Sequence, residues 1–311
     1  MKDQLDNSNI AVHLGQTSDY KDQYDPKLLV REPRSNNRQH LDISDDDLPF
    51  VGYDTWNAYE VSGLTNGGLP VAGVAKIVYP CSSKYIVESK SIKLYFNSFN
   101  MFKCGRSQES VLDFITRTAS NDLSELLETS VAVHVIPSNI KASGDPLFSR
   151  KGYMTLEEVI EPQILTDMKV DVYTETPDLL ELEDLPVEGI VSSWSKFHSG
   201  LLKSNCRVTS QPDWGDVWIA IKGQNHVTSE SLLRYIISFR DECHFHEEIC
   251  ETIYKRLHDI LSPEELVVTC LYARRGGIDI NPVRASSSSV INDVCPGLVN
   301  VELPHVKTSK Q

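Results

Sequence analysis

The sequence predicts an α+β protein of two tandem ββααββ modules, each an antiparallel sheet with its helices on one face. Three observations carry that expectation. Strand-like and helix-like patterns follow the order ββααββ, the order occurs twice within 311 residues, and the two copies share residues at a fixed spacing. Ser91, Tyr95, Ser98 and Phe99 recur as Ser231, Tyr235, Ser238 and Phe239, each 140 positions later. Duplication of one unit explains the shared order better than chance does.

Residues 1–47 are polar, with little hydrophobic periodicity, and read as an N-terminal arm with one short ordered segment around "DPKLLVREPRS". The first module is placed at 48–175. It starts with the hairpin pattern "WNAYEVSGL", "TNGG", "LPVAGVAKIVYP", in which aromatic and β-branched residues flank a glycine turn. "SIKLYFNSFN" and "SQESVLDFITRTASND" carry apolar residues at three and four spacings, as helices require. "SVAVHVIP" and "QILTDMKVDVYTE" are read as its closing strands. The acidic, proline-bounded stretch within 176–190 is expected to be a linker. The second module, 191–290, repeats the order: "CRVTSQP" and "WGDVWIAIKG" as strands, "SESLLRYIISFRDE" and "FHEEICETIYKRLHDIL" as helices, then "ELVVTCLYARR" and the segment after Gly277 as strands. Residues 291–311 form a C-terminal tail.

Composition narrows the function classes. A net charge of −14 repels phosphate backbones over most of the surface, so a small molecule is a better partner than nucleic acid. No apolar run reaches the roughly 18 residues a membrane span needs, and the first 25 residues are polar and acidic, unlike a signal peptide. A cytoplasmic location is expected, without membrane contact. Seven cysteines at irregular spacings point to free thiols rather than a disulfide frame.

Diverged duplicates divide labour, so residues present in one copy only are the informative ones. At the 140-residue offset Glu88 faces Thr228 and Lys90 faces Glu230, while Cys206, Asp213, His246 and Glu247 belong to the second copy alone. One site drawing on both halves is implied. Cys206 is a candidate nucleophile if a base or a positive charge favours its thiolate, and a turn at Gln211-Pro212 brings Asp213 back beside it. The plain alternative is a space-filling cysteine and a turn-capping aspartate. His246 and Glu247 open a helix, where the macrodipole favours an acid. Cys243, His244 and His246 lack a second matching cluster, so a metal is not expected. Arg274 and Arg275 offer cations for a phosphorylated cofactor, or an exposed turn. No GxGxxG motif follows a strand and opens a helix, and there is no P-loop.

"ESKSIKLYFNSFN", "LLKSNC", "TSQPDWG", "LLRYIISFR", "FHE" and "RRGGIDINP", with the upstream "TSDYKDQYDPKLL", "PRSNNR" and "LPFVGYDTW", resemble the long, bimodular form of the NADPH-dependent 7-cyano-7-deazaguanine reductases, the QueF nitrile reductases. The resemblance runs from about residue 16 to about 285. It implies the tunnelling fold, whose modules assemble into barrels between subunits, and therefore at least a homodimer. It implies reduction of the nitrile of 7-cyano-7-deazaguanine to the aminomethyl group in queuosine biosynthesis, with two NADPH per turnover and no metal. Cys206 would form a thioimide, with Asp213 as general acid/base and His246 assisting protonation. Val87, Glu88, Ser89, His246 and Glu247 would bind the deazapurine, and Ser89, Lys90, Arg275 and Gly276 the cofactor. Two rivals remain at this level: a tunnelling-fold hydrolase of a pterin or purine, with or without zinc, and a non-catalytic nucleobase-binding protein.

Overall fold

The computed structural model describes residues 20–138, 152–183, 192–303 and 310–311. An N-terminal segment holds the short strand β1 (Arg31–Pro33) and the helix α1 (Ser35–Arg38). The first module comprises β2 (Val51–Thr65), β3 (Pro70–Pro80), β4 (Tyr85–Val87), α2 (Ser89–Asn97), β5 (Lys103–Gly105), α3 (Gln108–Leu127) and β6 (Ala132–Pro137). β7 (Met154–Thr155), α4 (Leu156–Val159) and α5 (Pro162–Asp167) connect it to the second. That module comprises β8 (Ser193–Ser199), β9 (Lys203–Asn205), β10 (Pro212–Gly223), α6 (Ser229–Ser238), α7 (His246–Leu261), β11 (Glu265–Tyr272) and β12 (Ile278–Ala285). Two tail helices follow, α8 (Ser288–Val294) and α9 (Pro296–Val299).

The expected hairpin forms at Thr65–Leu69, with Gly68 at φ 89°, a conformation only glycine adopts freely. Residues matched by the duplication do the same local job: Glu88 and Thr228 cap α2 and α6, accepting from the Ser91 and Ser231 amides at 2.9 and 3.2 Å.

The two modules share one sheet. Its main path runs β6-β3-β2-β12-β11-β10-β8-β7, with β5 and β9 paired at its margins. The seam is the antiparallel pair β2 and β12, in register from Ala58 opposite Ile278 to Val51 opposite Ala285. Each module thereby covers an edge that would otherwise expose unpaired amides and carbonyls. The sheet is mixed rather than wholly antiparallel, because β7 with β8 and β2 with β5 are short parallel pairs.

Alternation along the strands sorts the core onto two faces. Val217, Ile219, Ile221, Val268 and Cys270 pack beneath α6 and α7, while Trp56, Ala58, Ile77 and Ile280 join the cluster of α2 and α3. The opposite face carries Trp218, Ala220, Val283 and Ala285, and these lie against Val290, Ile291 and Val294 of α8. The expectation of helices on one face is corrected here: the four long helices obey it, and the tail covers part of the other side. The Lys76 ammonium on β3 fixes that tail by donating to the carbonyls of Gly297, Asn300 and Leu303 at 2.7, 2.7 and 3.1 Å.

Three further readings change. "QILTDMKVDVYTE" is not a strand: Pro162 sets the first turn of α5, and Leu165 and Met168 pack on the second module's core instead of entering a ladder. "CRVTSQP" is a turn, and β10 takes β8 and β9 as partners. From residue 20 onward the N-terminal arm is packed on the body, with Leu28, Leu29, Leu41 and Ile43 in the core and Arg34 and Arg38 buried. Of the linker reading, Pro177–Leu179 forms a 3-10 turn and Leu182 bridges Val227, while residues 184–190 lie outside the described residues, as do 1–19 and 304–309 of the terminal segments.

Candidate active site

The turn that replaces the expected strand builds the site. β9 leads into Cys206, whose amide donates to the Gln211 carbonyl at 2.8 Å, and the Ser210 amide donates back to the Cys206 carbonyl at 2.9 Å. Ser210 stands at φ 53°, in the left-handed region, which lets the chain reverse within these few residues. Asp213 then enters at the start of β10. The approach to Cys206 is stitched to the approach to α7: the Asn205 amide donates to the Glu242 carbonyl at 2.7 Å, and the His244 amide to the Asn205 carbonyl at 3.1 Å. Glu248 closes the helix start by accepting from the Phe245 amide at 2.9 Å. Cys206 and the first residues of α7 are thus held side by side.

A small cavity lies there, lined by Cys206, Asp213, His246, Glu247 and Arg275 of the second module and by Trp56, Val87 and Ser89 of the first. Trp56 and Ile280, both lining residues, stand opposite each other across the β2–β12 seam, so the joint between modules is the cavity floor. His244 and Phe245 complete the wall.

The electrostatics suit nucleophilic chemistry. Burial alone would push the Cys206 thiol up, but the Thr209 hydroxyl and amide, the Arg275 guanidinium and the Val208 amide outweigh it, and the net direction is down, toward the thiolate. Asp213 is pushed up to about 6 by burial, against the pull of Arg275 and Lys203. Its Oδ1 lies 2.8 Å from Arg275 Nη1, and its Oδ2 lies 3.7 Å from His246 Nε2. His246 packs against Tyr272 with ring centroids 3.9 Å apart, and burial together with Arg275 pushes it down to about 3, so it is neutral at physiological pH. Glu247 is 2% exposed, its Oε1 has no hydrogen-bond partner among the described residues, and burial followed by the charge of Asp54 pushes its carboxyl up.

The other residues singled out in the sequence take different places. Glu88 is buried beside Val87 and Ser89, and its Oε2 caps α2 rather than lining the cavity. Lys90 is half-buried on the first turn of α2. Gly276 and Gly277 turn the chain at φ 61° and 82°, and a Cβ on Gly276 would lie 3.7 Å from the Lys93 side chain. Arg274 lies over the Tyr59 ring, 4.6 Å from its centroid. Among the described residues no group of three or more His, Cys, Asp or Glu is placed to hold a metal ion. His244 places its ring nitrogens 3.2 and 3.0 Å from Glu248 and Glu242; burial opposes its charge, but the two carboxylates prevail and raise it to about 9. Among the described residues no helix is long and apolar enough to cross a membrane.

Sequence reading missed Trp56, Thr209 and Tyr272. Trp56 looked like any strand aromatic, Thr209 lay in a segment read as a strand, and Tyr272 belongs to an ordinary apolar run. Nothing local marks them: Trp56 meets Ile280 across more than 200 positions, Thr209 acts from a turn, and Tyr272 meets His246 only once β11 packs beside the start of α7.

Two family profiles match the chain: "Nitrile reductase, 7-cyano-7-deazaguanine-reductase N-term" over residues 20–135 and "QueF-like protein" over residues 212–290. The NADPH-dependent 7-cyano-7-deazaguanine reductase of Legionella pneumophila (strain Lens) is 40% identical over 286 residues, spanning 91% of this chain and 93% of that protein. The protein of the same name from Rickettsia bellii (strain OSU 85-389) is 39% identical over 277 residues, 89% of this chain and 93% of its own. A crystal structure of the archaeosine synthase QueF-Like in the apo form aligns with 32% of this chain and 95% of its own at 17% identity and a TM-score of 0.28, a likeness too slight to bear on the fold.

Proposed function

The chain belongs to the NADPH-dependent 7-cyano-7-deazaguanine reductase family, and we propose that it works through a covalent thioimide on Cys206. It reduces the nitrile of 7-cyano-7-deazaguanine to the amine of 7-aminomethyl-7-deazaguanine, a step of queuosine biosynthesis, with NADPH as reductant. The observation that carries the route is the meeting of Cys206, Asp213, Glu247 and Arg275 in one cavity that the first module completes with Val87 and Ser89.

A nitrile carbon accepts hydride poorly, whereas a thioimide carbon is the better electrophile. Cys206 Sγ forms a bond to that carbon while its proton passes to the nitrile nitrogen. Asp213 is the carrier: it takes the proton from the thiol and delivers it to nitrogen, with a carboxyl pushed up far enough to do both near neutral pH. Arg275 fixes the orientation of Asp213 and favours the thiolate. After one hydride has reached the carbon, the C–S bond breaks, and Cys206 leaves as the anion its surroundings favour. Neutral His246, 3.7 Å from Asp213, is the second proton-handling group in reach.

Glu247 recognises the base. The deazaguanine edge offers N1–H and a 2-amino group, donors that suit a buried carboxylate whose Oε1 lacks a partner among the described residues. Val87, Ser89 and His246 frame the ring, and Glu88 holds the first turn of α2 behind them.

The residues present fit a phosphorylated dinucleotide: Arg275 reaches the cavity, Lys93 stands beside the glycine turn at Gly276, and Lys90 follows Ser89. When bound there, NADPH supplies hydride, and nitrile-to-amine reduction requires two equivalents. Ser89, Lys90, Arg275 and Gly276 are assigned to hold it.

At least a homodimer, with tunnelling-fold barrels closed between subunits, follows from the family resemblance and is supported by β6, which ends the sheet path with one edge unpaired among the described residues. The route is tested by mixing enzyme, nitrile and NADPH and counting cofactor oxidised per nitrile. Two per nitrile are expected, with a loss of about 10³-fold or more in Cys206→Ala. Normal turnover by that variant would overturn the route.

A further inference from the structure

Of the side chains lining the cavity, two carry buried polar atoms without a hydrogen-bond partner among the described residues: Glu247 Oε1, an acceptor, and Trp56 Nε1, a donor. Buried polar groups are ordinarily paired, and one left unpaired in a site is a statement about its ligand. Glu247 is assigned above to the N1–H and 2-amino donors. The same edge of the base continues into the ring carbonyl, an acceptor that Glu247 cannot serve. Trp56 is 1% exposed and fully charge-neutral. It projects from β2 on the face it shares with Ala58 and Ile280, and its backbone is pinned at the seam opposite Ile280. Resting on the nitrile reductase reading, we propose that Trp56 is a specificity-determining residue whose indole N–H donates to the carbonyl oxygen of the deazaguanine ring, so that the two modules read opposite ends of one base edge.

The arrangement has a chemical logic. An indole N–H is a donor only and cannot accept, so it disfavours a ring bearing an amino donor at that carbon. An adenine-like nitrile would then confront Trp56 with a second donor and Glu247 without its partners. Two buried, one-signed groups reject the wrong ring at both ends.

The test compares wild type with Trp56→Phe, which keeps an aromatic ring and removes the N–H. Three substrates are used: the nitrile itself, its 6-thio analogue, which retains N1–H and the 2-amino group but offers a weak acceptor, and its analogue lacking the 2-amino group. Trp56→Phe is expected to raise KM for the nitrile about tenfold with kcat changed less than about threefold. Wild type should prefer the carbonyl over the thiocarbonyl substrate by about tenfold, and Trp56→Phe by no more than about twofold, whereas loss of the 2-amino group should penalise both proteins equally. An unchanged carbonyl-to-thiocarbonyl preference in the variant would overturn the assignment. If the variant does not fold, the indole N–H proton resonance of Trp56 is followed in Cys206→Ala protein: a downfield shift with the nitrile that is absent with the 6-thio analogue supports the contact, and equal shifts overturn it. Wild type that oxidises no NADPH with any of the three would instead remove the reading on which the proposal rests.

Discussion

Glu247 and Glu251 stand one turn apart on α7, both 2% exposed, and their surroundings are opposite. Glu251 Oε1 accepts from Arg38 Nη2 at 2.8 Å and from Arg284 Nη2 and Nε at 2.9 and 3.1 Å, and its Oε2 accepts from Arg38 Nε at 3.0 Å. Arg34 adds a cation at 3.7 Å, and Arg34 and Arg284 both bond Asp54. Burial would raise this carboxyl, but the arginines prevail and lower it to about 2. Glu247 has no such partner on Oε1 and is raised. One buried glutamate is saturated and ties the N-terminal segment, β2, α7 and β12 together, while the other keeps a carboxylate oxygen without a partner among the described residues, as the substrate contact proposed above requires. A buried ion network holds a fold in register only when every member is satisfied, and a binding site is the place where that rule is relaxed.

The largest effect is expected on the working side. Asp213→Asn should slow thioimide formation by about 10²- to 10⁴-fold without unfolding the protein, measured by stopped-flow adduct formation. The pH profile sharpens the point. Transfer needs one proton on the Cys206–Asp213 pair, so in wild type the rate should rise with pH through about 6 as the first proton leaves, then fall as the second does. The acidic limb should vanish in Asp213→Asn.

Next comes the saturated glutamate. Glu251→Gln leaves Arg38 and Arg284 facing an uncharged amide and should cost about 3–5 kcal/mol of stability, read by denaturant unfolding. Because the folded-state value of Glu251 lies below its ordinary 4.5, its contribution is present above pH 4.5 and is lost as pH falls through about 2. The difference between variant and wild type should therefore shrink at low pH.

Glu247→Gln should do the reverse. A carboxyl raised above 4.5 costs the folded protein more as pH climbs toward its raised value, so the variant should gain stability relative to wild type between pH 4.5 and about 8. It should also raise KM for the nitrile by about 10- to 100-fold. Equal stability losses in the two glutamine variants would dissolve the contrast between the two glutamates.

Much of the site was legible because its chemistry is local. Cys206, Asp213, His246, Glu247 and Arg275 sit in short motifs of reactive and charged residue types, and they line one cavity. The surroundings were less readable. Arg34 and Arg38 lie in a polar stretch that looks solvated, and their partner Glu251 is 213 positions from Arg38. "CRVTSQP" alternates as a strand does, but the left-handed Ser210 converts it to the turn that brings Asp213 back. The sheet shared across β2 and β12 was invisible, since module edges carry no sequence mark of what pairs with them. The four long helices were legible from their 3.6-residue period, and the tail helices were not, because their apolar residues acquire meaning only against the second face of the sheet.

The central claim is that Cys206 bonds covalently to the nitrile within a cavity built by both modules. The most direct measurement is intact mass of the protein incubated with 7-cyano-7-deazaguanine before NADPH is added, followed by peptide mapping. The expected result is a gain of one substrate mass on Cys206, absent in Cys206→Ala and discharged by NADPH. Turnover without any adduct, or an adduct on another residue that NADPH discharges, would contradict it.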